Sequence, residues 1–251
     1  MIKKIRIIIV IIALITAGVS GYNIISNYLE LNRGEATYDS IRDEVVISEA
    51  ETEAPAHKKY ECIDVDFDAL ADINPDIVAW LYIHDTPVSY PILRGNDNQT
   101  YLTRTYDRQT NILGSIFEDY RNEIDLQDLN TIIYGHNTKS DAMFGSLKKY
   151  KEQAYADGHL TVCIIKKEGV YVYEIFTVYE TLATSDTYTI RFSSEEAFAA
   201  YIKEMQSKTV VSVSDPPDGE KIVTLSTCTG SNKAMRLVLQ AKYIDFVPSE
   251  A

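Results

Sequence analysis

Residues 221–236 read KIVTLSTCTGSNKAMR, and this stretch decides how the chain is interpreted. Its first eight residues are mostly β-branched or apolar, which predicts a strand ending at Cys228. Residues 229–233 have the composition of a turn, and a second strand pattern begins at Met235. If the two strands pair as a hairpin centred on Asn232, Cys228 faces Arg236, with Cβ atoms about 5 Å apart. A register shifted by one residue would separate this pair.

An arginine opposite a cysteine has a clear chemical use. The guanidinium favours the thiolate over the thiol and so lowers the pKa of a cysteine. It also donates hydrogen bonds to an oxyanion that forms during acyl transfer. The pair Cys228 and Arg236 therefore predicts a nucleophile with its electrostatic partner.

A second segment, TIIYGHN at residues 131–137, reads as a buried strand that ends in Gly-His-Asn. Histidine at the mouth of a strand is suited to proton transfer, because imidazole titrates close to neutral pH. Taken alone, the segment favours a surface or core histidine with a structural hydrogen bond over a catalytic one. Together with Cys228 it suggests a thiol enzyme.

The rest of the chain favours a mainly β fold with peripheral helices. Helices are predicted over 66–80, broken at Pro75, over 142–150 and over 194–206, the last capped by Ser193 or Ser194. Turn signals separate the short strands and suggest a closed or nearly closed barrel of about eight strands. The predicted strands cover 80–83, 88–92, 114–117, 130–134, 160–165, 170–179, 221–228 and 236–246.

The N-terminus predicts a membrane segment. Lys3, Lys4 and Arg6 precede residues 7–29, which carry no charge and are long enough to span a bilayer. Basic residues stay on the cytoplasmic side, so the rest of the chain is expected outside. A signal peptide cleaved near residues 17–21 is the alternative. Residues 1–29 are thus interpreted as a signal-anchor, 30–59 as a polar stalk with a short helix over 38–47, and 60–251 as the catalytic domain.

Composition excludes other classes of function. The net charge of −13 disfavours binding to nucleic acid. The three cysteines and four histidines lack zinc-ligand spacing, so neither a metal nor another cofactor is expected. Cys62 and Cys163 are interpreted as structural residues, with Cys163 packed in the core. Glu118 and Asp119 are interpreted as a solvated turn rather than as partners of His136.

As a set, these motifs resemble the sortase family, and its class B subfamily most closely. The resemblance covers residues 60–247. It rests on Tyr134-Gly135-His136-Asn137, on Thr224-Leu225-Ser226-Thr227-Cys228-Thr229-Gly230 with Arg236, and on Asn74-Pro75-Asp76-Ile77-Val78-Ala79-Trp80-Leu81, Tyr90-Pro91-Ile92, Asp97-Asn98, Tyr101-Leu102, Gly114-Ser115-Ile116-Phe117 and Met143-Phe144.

The resemblance implies a sortase-type eight-stranded β-barrel, with an N-terminal helix and a helix in the loop before the cysteine strand. It also implies a cysteine transpeptidase with Cys228 as nucleophile, His136 as general acid and then base, and Arg236 as oxyanion and substrate clamp. The family's substrate groove corresponds here to Asn98, Leu102, Ser226 and Thr227. Class B enzymes are not expected to need calcium.

The implied reaction cleaves a C-terminal sorting signal after Thr and joins the new carboxyl end to an amino group of peptidoglycan. The expected partners are surface proteins that bear such a signal, a peptidoglycan amine and the membrane. A sortase that polymerises pilins is one alternative, and a non-catalytic, wall-facing binding protein is another. Papain-like proteases are disfavoured because His136 precedes Cys228 in the chain, and L,D-transpeptidases because their arginine follows the cysteine almost directly.

Overall fold

A computed structural model describes residues 2–47, 59–229 and 232–249. Four α-helices are present in this part of the chain: α1 (Ile2–Val45), α2 (Phe67–Ile73), α3 (Gln153–Gly158) and α4 (Glu195–Ser207). Short 3-10 segments cover Thr100–Leu102, Gly145–Lys151 and Asp186–Tyr188. The last of these precedes α4.

Eight strands close into a barrel, which confirms the predicted fold class. The barrel strands are β3 (Ile77–Tyr82), β4 (Ser89–Leu93), β5 (Ile116–Glu118), β6 (Asn130–Gly135), β7 (Thr161–Lys166), β8 (Gly169–Leu182), β9 (Ile222–Thr229) and β10 (Asn232–Pro248), in the order β10-β8-β7-β3-β4-β5-β6-β9. Two short strands, β1 (Val46–Ile47) and β2 (Asp64–Val65), pair separately. All eight predicted strands overlap the strands of the barrel.

The barrel is mixed, and its parallel pairs matter for the site. β4 pairs with β5 and β6 pairs with β9 in parallel, whereas the other neighbours are antiparallel. The carboxyl ends of β6 and β9 therefore lie at the same edge of the barrel. His136 follows β6 directly, and Cys228 lies near the end of β9.

The predicted helix over 66–80 is correct only in its first half. Asp66 caps α2 and accepts hydrogen bonds from the backbone N–H groups of Asp68 and Ala69, both at 3.0 Å. The helix ends before Pro75, and the residues from Ile77 onwards form strand β3. The apolar residues after Pro75 fit helical spacing, but they are buried as a barrel strand, because proline breaks the helical ladder.

Residues 30–45, which were predicted as part of a polar stalk with a short helix over 38–47, belong to helix α1. It continues without interruption from Ile2 to Val45, and the side chains of Tyr38, Ile41 and Val45 are almost completely buried against the barrel. By length and composition α1 qualifies as a membrane-spanning helix, and its most apolar stretch is not covered by protein. Residues 48–58, the most polar part of the predicted stalk, lie outside the described residues.

Cys62 and Cys163 form a disulfide, with Cα atoms 6.1 Å apart. Their structural role was predicted, but not their bond to each other. Cys163 is in β7, whereas Cys62 lies in the segment that leads into β2. The bond therefore ties the chain that enters the domain to the barrel wall, and Cys228 is the one cysteine of the three outside it.

Replacing both Cys62 and Cys163 with serine is expected to lower the free energy of unfolding by about 2–4 kcal/mol, because the cross-link closes a long loop in the unfolded chain. Thermal unfolding of the full chain in detergent measures this effect. Dithiothreitol should destabilise the parent protein to a similar extent and leave the double variant unchanged. Equal stability of the two proteins under oxidising conditions would contradict the prediction.

Glu118 and Asp119 are buried, so their interpretation as a solvated turn is wrong. Glu118 lies in β5, and its Oε1 accepts a hydrogen bond from Nη1 of Arg94 at 2.9 Å. Burial raises the pKa of Glu118 to about 7, and Arg94 only partly offsets this rise. A carboxyl group with a raised pKa binds its proton more tightly in the folded protein than in the unfolded chain.

The stability that Glu118 contributes is therefore fully present below pH 4.5, its ordinary pKa, and is lost as the pH rises through about 7. Glu118→Gln removes this titration. Between pH 5 and pH 8 the parent should therefore lose up to about 3 kcal/mol of unfolding free energy relative to the variant, because each pKa unit corresponds to roughly 1.36 kcal/mol. Urea unfolding across this range measures the difference. A difference that does not vary with pH would contradict the assigned titration.

Candidate active site

Parallel pairing places the ends of β6 and β9 side by side. Tyr134 pairs with Ser226, and Gly135 pairs with Thr227. The next residues along the two strands are His136 and Cys228. Adjacent strands lie about 4.8 Å apart, so the backbones of the predicted nucleophile and the predicted acid–base are neighbours.

Antiparallel pairing brings Arg236 to the other side of Cys228. The register of β9 and β10 pairs Cys228 directly with Arg236, as the hairpin argument predicted. The predicted centre at Asn232 is wrong, because Asn232 pairs with Thr229 and the register shifts between Asn232 and Arg236. This irregularity restores the pairing of Cys228 and Arg236. The three predicted catalytic residues therefore come from adjacent strands, with Cys228 on the middle strand.

A cleft of about 230 Å³ opens at this edge of the barrel. It is lined by His136 and Arg236 and by all four residues predicted to bind substrate: Asn98, Leu102, Ser226 and Thr227. Six further residues complete the lining: Gln99, Phe117, Tyr134, Gly135, Ala183 and Tyr188. Sequence motifs from four separate parts of the chain thus converge on one cleft.

His136 is held by the backbone of Leu102. Its Nε2 lies 2.7 Å from the carbonyl oxygen of Leu102. A carbonyl oxygen only accepts hydrogen bonds, so Nε2 carries the proton in this contact. In the neutral ring Nδ1 is then the nitrogen that accepts a proton. The contact fixes both the tautomer and the orientation of the imidazole.

Gly114 makes this contact feasible. Its φ is +59°, and a Cβ added there would lie 2.6 Å from the Leu102 carbonyl oxygen and 2.9 Å from Cδ2 of His136. Both the backbone conformation and the close approach therefore require glycine. Tyr38 of α1 also holds the backbone at Gly114, because its hydroxyl donates a hydrogen bond to the Gly114 carbonyl at 2.8 Å.

Gly114→Ala is expected to lower kcat by about 10²-fold while the barrel remains folded, because the added methyl group displaces the carbonyl that orients His136. Steady-state turnover of a peptide substrate measures the effect, and thermal unfolding checks the fold. Gly158→Ala is the matched control, since a Cβ at Gly158 would meet no atom within 4 Å. Equal activity of both variants would contradict the proposed role of the Leu102 contact.

Aromatic side chains form one wall of the cleft. Tyr134 stacks on Tyr188 with ring centroids 6.1 Å apart and packs against Phe117 at 5.4 Å. The hydroxyl groups of Tyr188 and Ser226 are 2.9 Å apart and share a hydrogen bond. Tyr134 and Phe117 lie within the recognised motifs but were given no role, and Tyr188 was missed. Nothing in the local sequence of residues 186–188 signals that this segment covers the cleft.

A buried carboxylate supports the aromatic wall. Asp119 accepts a hydrogen bond from the Tyr134 hydroxyl at 3.0 Å and from Nη2 of Arg121 at 2.6 Å. Burial alone would raise the pKa of Asp119, but hydrogen bonds from Arg121, Asn98 and Tyr134 hold it below its usual value. Asn98 is also fixed by the backbone N–H of Tyr120, which donates to its Oδ1 at 3.1 Å. Asp119 thus positions two residues of the cleft rather than His136.

The known proteins that resemble this chain share its fold, and they are all sortases. The family model for the Sortase domain matches residues 81–244 of this chain. Sortase B of Listeria monocytogenes is 39% identical over 180 residues, which cover 70% of this chain and 72% of that protein. Sortase B from Bacillus anthracis in complex with AAEK1 is similar with a TM-score of 0.73 at 31% identity, covering 87% of this chain and 99% of that chain.

A further solved structure, the Staphylococcus aureus sortase B–substrate complex, is similar with a TM-score of 0.71 at 28% identity. It covers 86% of this chain and 99% of that chain. The closed eight-stranded barrel with few helices is therefore the architecture that these structures share with the present chain.

Proposed function

This chain belongs to the sortase family and is a cysteine transpeptidase, and we propose that it cleaves the C-terminal sorting signal of secreted proteins after Thr and joins the new carboxyl end to an amino group of peptidoglycan. One observation carries the proposal. Cys228 lies on the strand between the one that His136 follows and the one that carries Arg236, and His136 and Arg236 line one cleft. Acyl transfer by a thiol needs a nucleophile, a proton carrier and an oxyanion partner together.

Cys228 acts as the nucleophile in this proposal. Its thiolate attacks the carbonyl carbon of the Thr residue in the sorting signal, and the carbonyl oxygen becomes a tetrahedral oxyanion. Arg236, the cross-strand partner of Cys228, neutralises this charge together with backbone N–H groups, because donors aimed at a developing oxyanion stabilise the transition state. The same guanidinium favours the thiolate before the attack.

His136 carries the proton. As the imidazolium it gives a proton to the departing amine, the C–N bond breaks and a thioacyl-enzyme remains. The acceptor amine then attacks the thioester, neutral His136 takes up the proton of that amine, and the Cys228 sulfur leaves as the thiolate when the new amide forms. Because Nε2 is bound to the Leu102 carbonyl, Nδ1 is the nitrogen that exchanges the proton with the reacting groups.

The cleft supplies contacts for the peptide. Thr227 is 2% exposed, and among the described residues no group forms a hydrogen bond with its hydroxyl. A buried hydroxyl without a partner costs roughly 1–3 kcal/mol, and Thr227 lines the cleft. Ser226, Asn98 and Leu102 line the same cleft. We assign these four residues to substrate binding.

The N-terminal helix supports a location of this reaction at the membrane. Residues 7–29 are uncharged and follow three basic residues, so the N-terminus is cytoplasmic and the barrel is extracellular in this proposal. The Cys62–Cys163 disulfide agrees with an oxidising compartment outside the cytoplasm. Both a secreted substrate and a wall precursor reach the outer face of the membrane.

A fluorogenic peptide library tests the proposal. Peptides spanning LPxTG-, PPxTG- and NPxTN-like motifs are mixed with the full chain in detergent, with and without an amine acceptor. The proposal predicts cleavage after Thr in at least one motif and, with the amine, a product joined through the new carboxyl end. Acceptors that mimic a peptidoglycan stem, a cross-bridge and a pilin lysine distinguish wall anchoring from pilin polymerisation. Binding of peptides without cleavage by folded protein would favour a non-catalytic binding role.

A further inference from the structure

The membrane segment and the barrel share one rigid helix. The last residue of the uncharged stretch is Leu29, and the side chains at its start and end are exposed. Glu30 follows at once and already contacts a loop of the catalytic domain. No linker separates the two parts of α1. An uninterrupted helix transmits orientation, so the barrel cannot rotate freely above the lipid.

Glu30 docks on the loop formed by residues 110–113. Its carbonyl oxygen accepts a hydrogen bond from Nδ2 of Asn111, and its Oε1 accepts one from the backbone N–H of Ile112, both at 2.9 Å. Residues 7–29 span about 34 Å as a helix, enough to cross the hydrocarbon core. Glu30 therefore reaches the outer headgroup region, and the 110–113 loop lies beside it.

Close packing holds the helix and the loop together. Gly34 lies one turn after Glu30, and a Cβ added there would be 2.7 Å from Oδ1 of Asn111 and 3.0 Å from the Leu113 side chain. The absence of a side chain lets the helix backbone approach the loop. A large residue at position 34 would push the two apart.

We propose that the 110–113 loop is a membrane-contact surface, with Ile112 inserted into the headgroup region of an anionic bilayer. This inference rests on the membrane anchoring proposed above. Ile112 is an isoleucine that is 41% exposed, beside the point where the uncharged segment ends. Aliphatic side chains next to a membrane anchor gain free energy when they enter the interface.

Two exposed arginines lie beside this contact. Arg33 is exposed on the first turn of α1 after Glu30, and Arg104 is exposed next to the loop, since it pairs with Thr110 in an isolated bridge. Both cations lie at the same end of a chain whose net charge is −13. An arginine near an anionic membrane surface contributes about 1 kcal/mol of attraction.

The contact holds the catalytic cleft close to the lipid. Asn111 and Gly114 are three residues apart, so their Cα atoms are separated by at most about 11 Å. Gly114 in turn lies against His136. A peptide bond in the cleft is therefore processed within a short distance of the bilayer. The substrates that fit are those whose cleavage site lies only a few residues from their own membrane segment.

Bromolipid quenching tests the surface. The full chain with Ile112→Trp is reconstituted into vesicles of phosphatidylcholine and phosphatidylglycerol, with or without bromine near the headgroup end of the acyl chains. The single native tryptophan, Trp80, is fully buried in the barrel and gives a low, constant background. Ile124→Trp is the matched control, because Ile124 is an exposed isoleucine beyond the other end of β5.

Brominated lipid should quench Ile112→Trp at least twofold and leave Ile124→Trp unchanged. Adding Gly34→Leu to Ile112→Trp should abolish the quenching while the protein still floats with the vesicles. Equal quenching at both positions, none at Ile112→Trp in floated protein, or quenching that survives Gly34→Leu would overturn the inference. A chain that does not float at all overturns the membrane anchor and with it the contact surface, whereas peptide cleavage in detergent reports separately on the transpeptidase.

Discussion

Cys228→Ala is expected to abolish both peptide cleavage and transfer to an amine, lowering kcat by at least about 10⁴-fold. The methyl group of alanine cannot form a thioacyl bond. Neither of the other two cysteines can replace Cys228, because Cys62 and Cys163 are bonded to each other. Sorting-signal peptide should still bind, since the cleft keeps its lining. Peptide cleavage and equilibrium binding of a fluorescent peptide measure the two effects separately.

The control for this variant is Cys62→Ser/Cys163→Ser at a temperature where it is folded. It should be labelled by a thiol-reactive sorting-signal mimic at Cys228 and retain turnover. Cys228→Ala should not be labelled. Turnover by Cys228→Ala above about 10⁻⁴ of the parent rate would assign the nucleophile to another residue.

His136→Gln is expected to lower kcat by about 10²–10⁴-fold with little change in KM. Glutamine can donate a hydrogen bond to the Leu102 carbonyl, as Nε2 of His136 does, but it cannot take up or release a proton. The decrease in kcat therefore measures the contribution of proton transfer, because the hydrogen bond that positions residue 136 is kept. Single-turnover kinetics with and without an amine measure acylation and deacylation, and both steps should slow.

His84→Gln is the matched control, because His84 lies next to Tyr82 and outside the residues that line the cleft. It should retain the parent kcat. Activity of His136→Gln within a few-fold of the parent would mean that the leaving amine takes its proton from another group. Loss of binding rather than of turnover would assign His136 a structural role.

The barrel is predictable from the sequence because its strands are short, apolar and separated by turns. The pairing of Cys228 with Arg236 was correct, although the turn between them is not the one assumed. Local pattern fixes which residues are near each other in a hairpin, whereas the irregularity between Asn232 and Arg236 depends on the whole sheet.

The sequence predicted a short helix over 38–47, but not that it is continuous with the membrane segment and docks on the barrel. Tyr38, Ile41 and Val45 recur at helical spacing and are buried. The high polarity of the segment favoured a stalk. The contact with the barrel shows that one apolar stripe is enough to dock this part of the helix on the domain. The Cys62–Cys163 bond was not predictable either, because connectivity cannot be deduced from spacing in a single sequence.

The buried carboxylates were misjudged for a similar reason. Asp119 follows a strand and reads as a turn residue, but Arg121 and Tyr134 satisfy its charge inside the protein. A partner two residues away is visible in the sequence, whereas the tyrosine fifteen residues away is brought to it by the barrel alone. Long-range pairing therefore decides which polar residues support the cleft.

The most direct test of the account is the intact mass of the enzyme during turnover. The full chain is mixed with a cleavable sorting-signal peptide without an amine acceptor, quenched in acid and analysed by mass spectrometry with peptide mapping. The account predicts an added mass equal to the peptide up to its Thr residue, located on Cys228 and removed by hydroxylamine. Cleavage without any adduct, or an adduct on a residue other than Cys228, would contradict it.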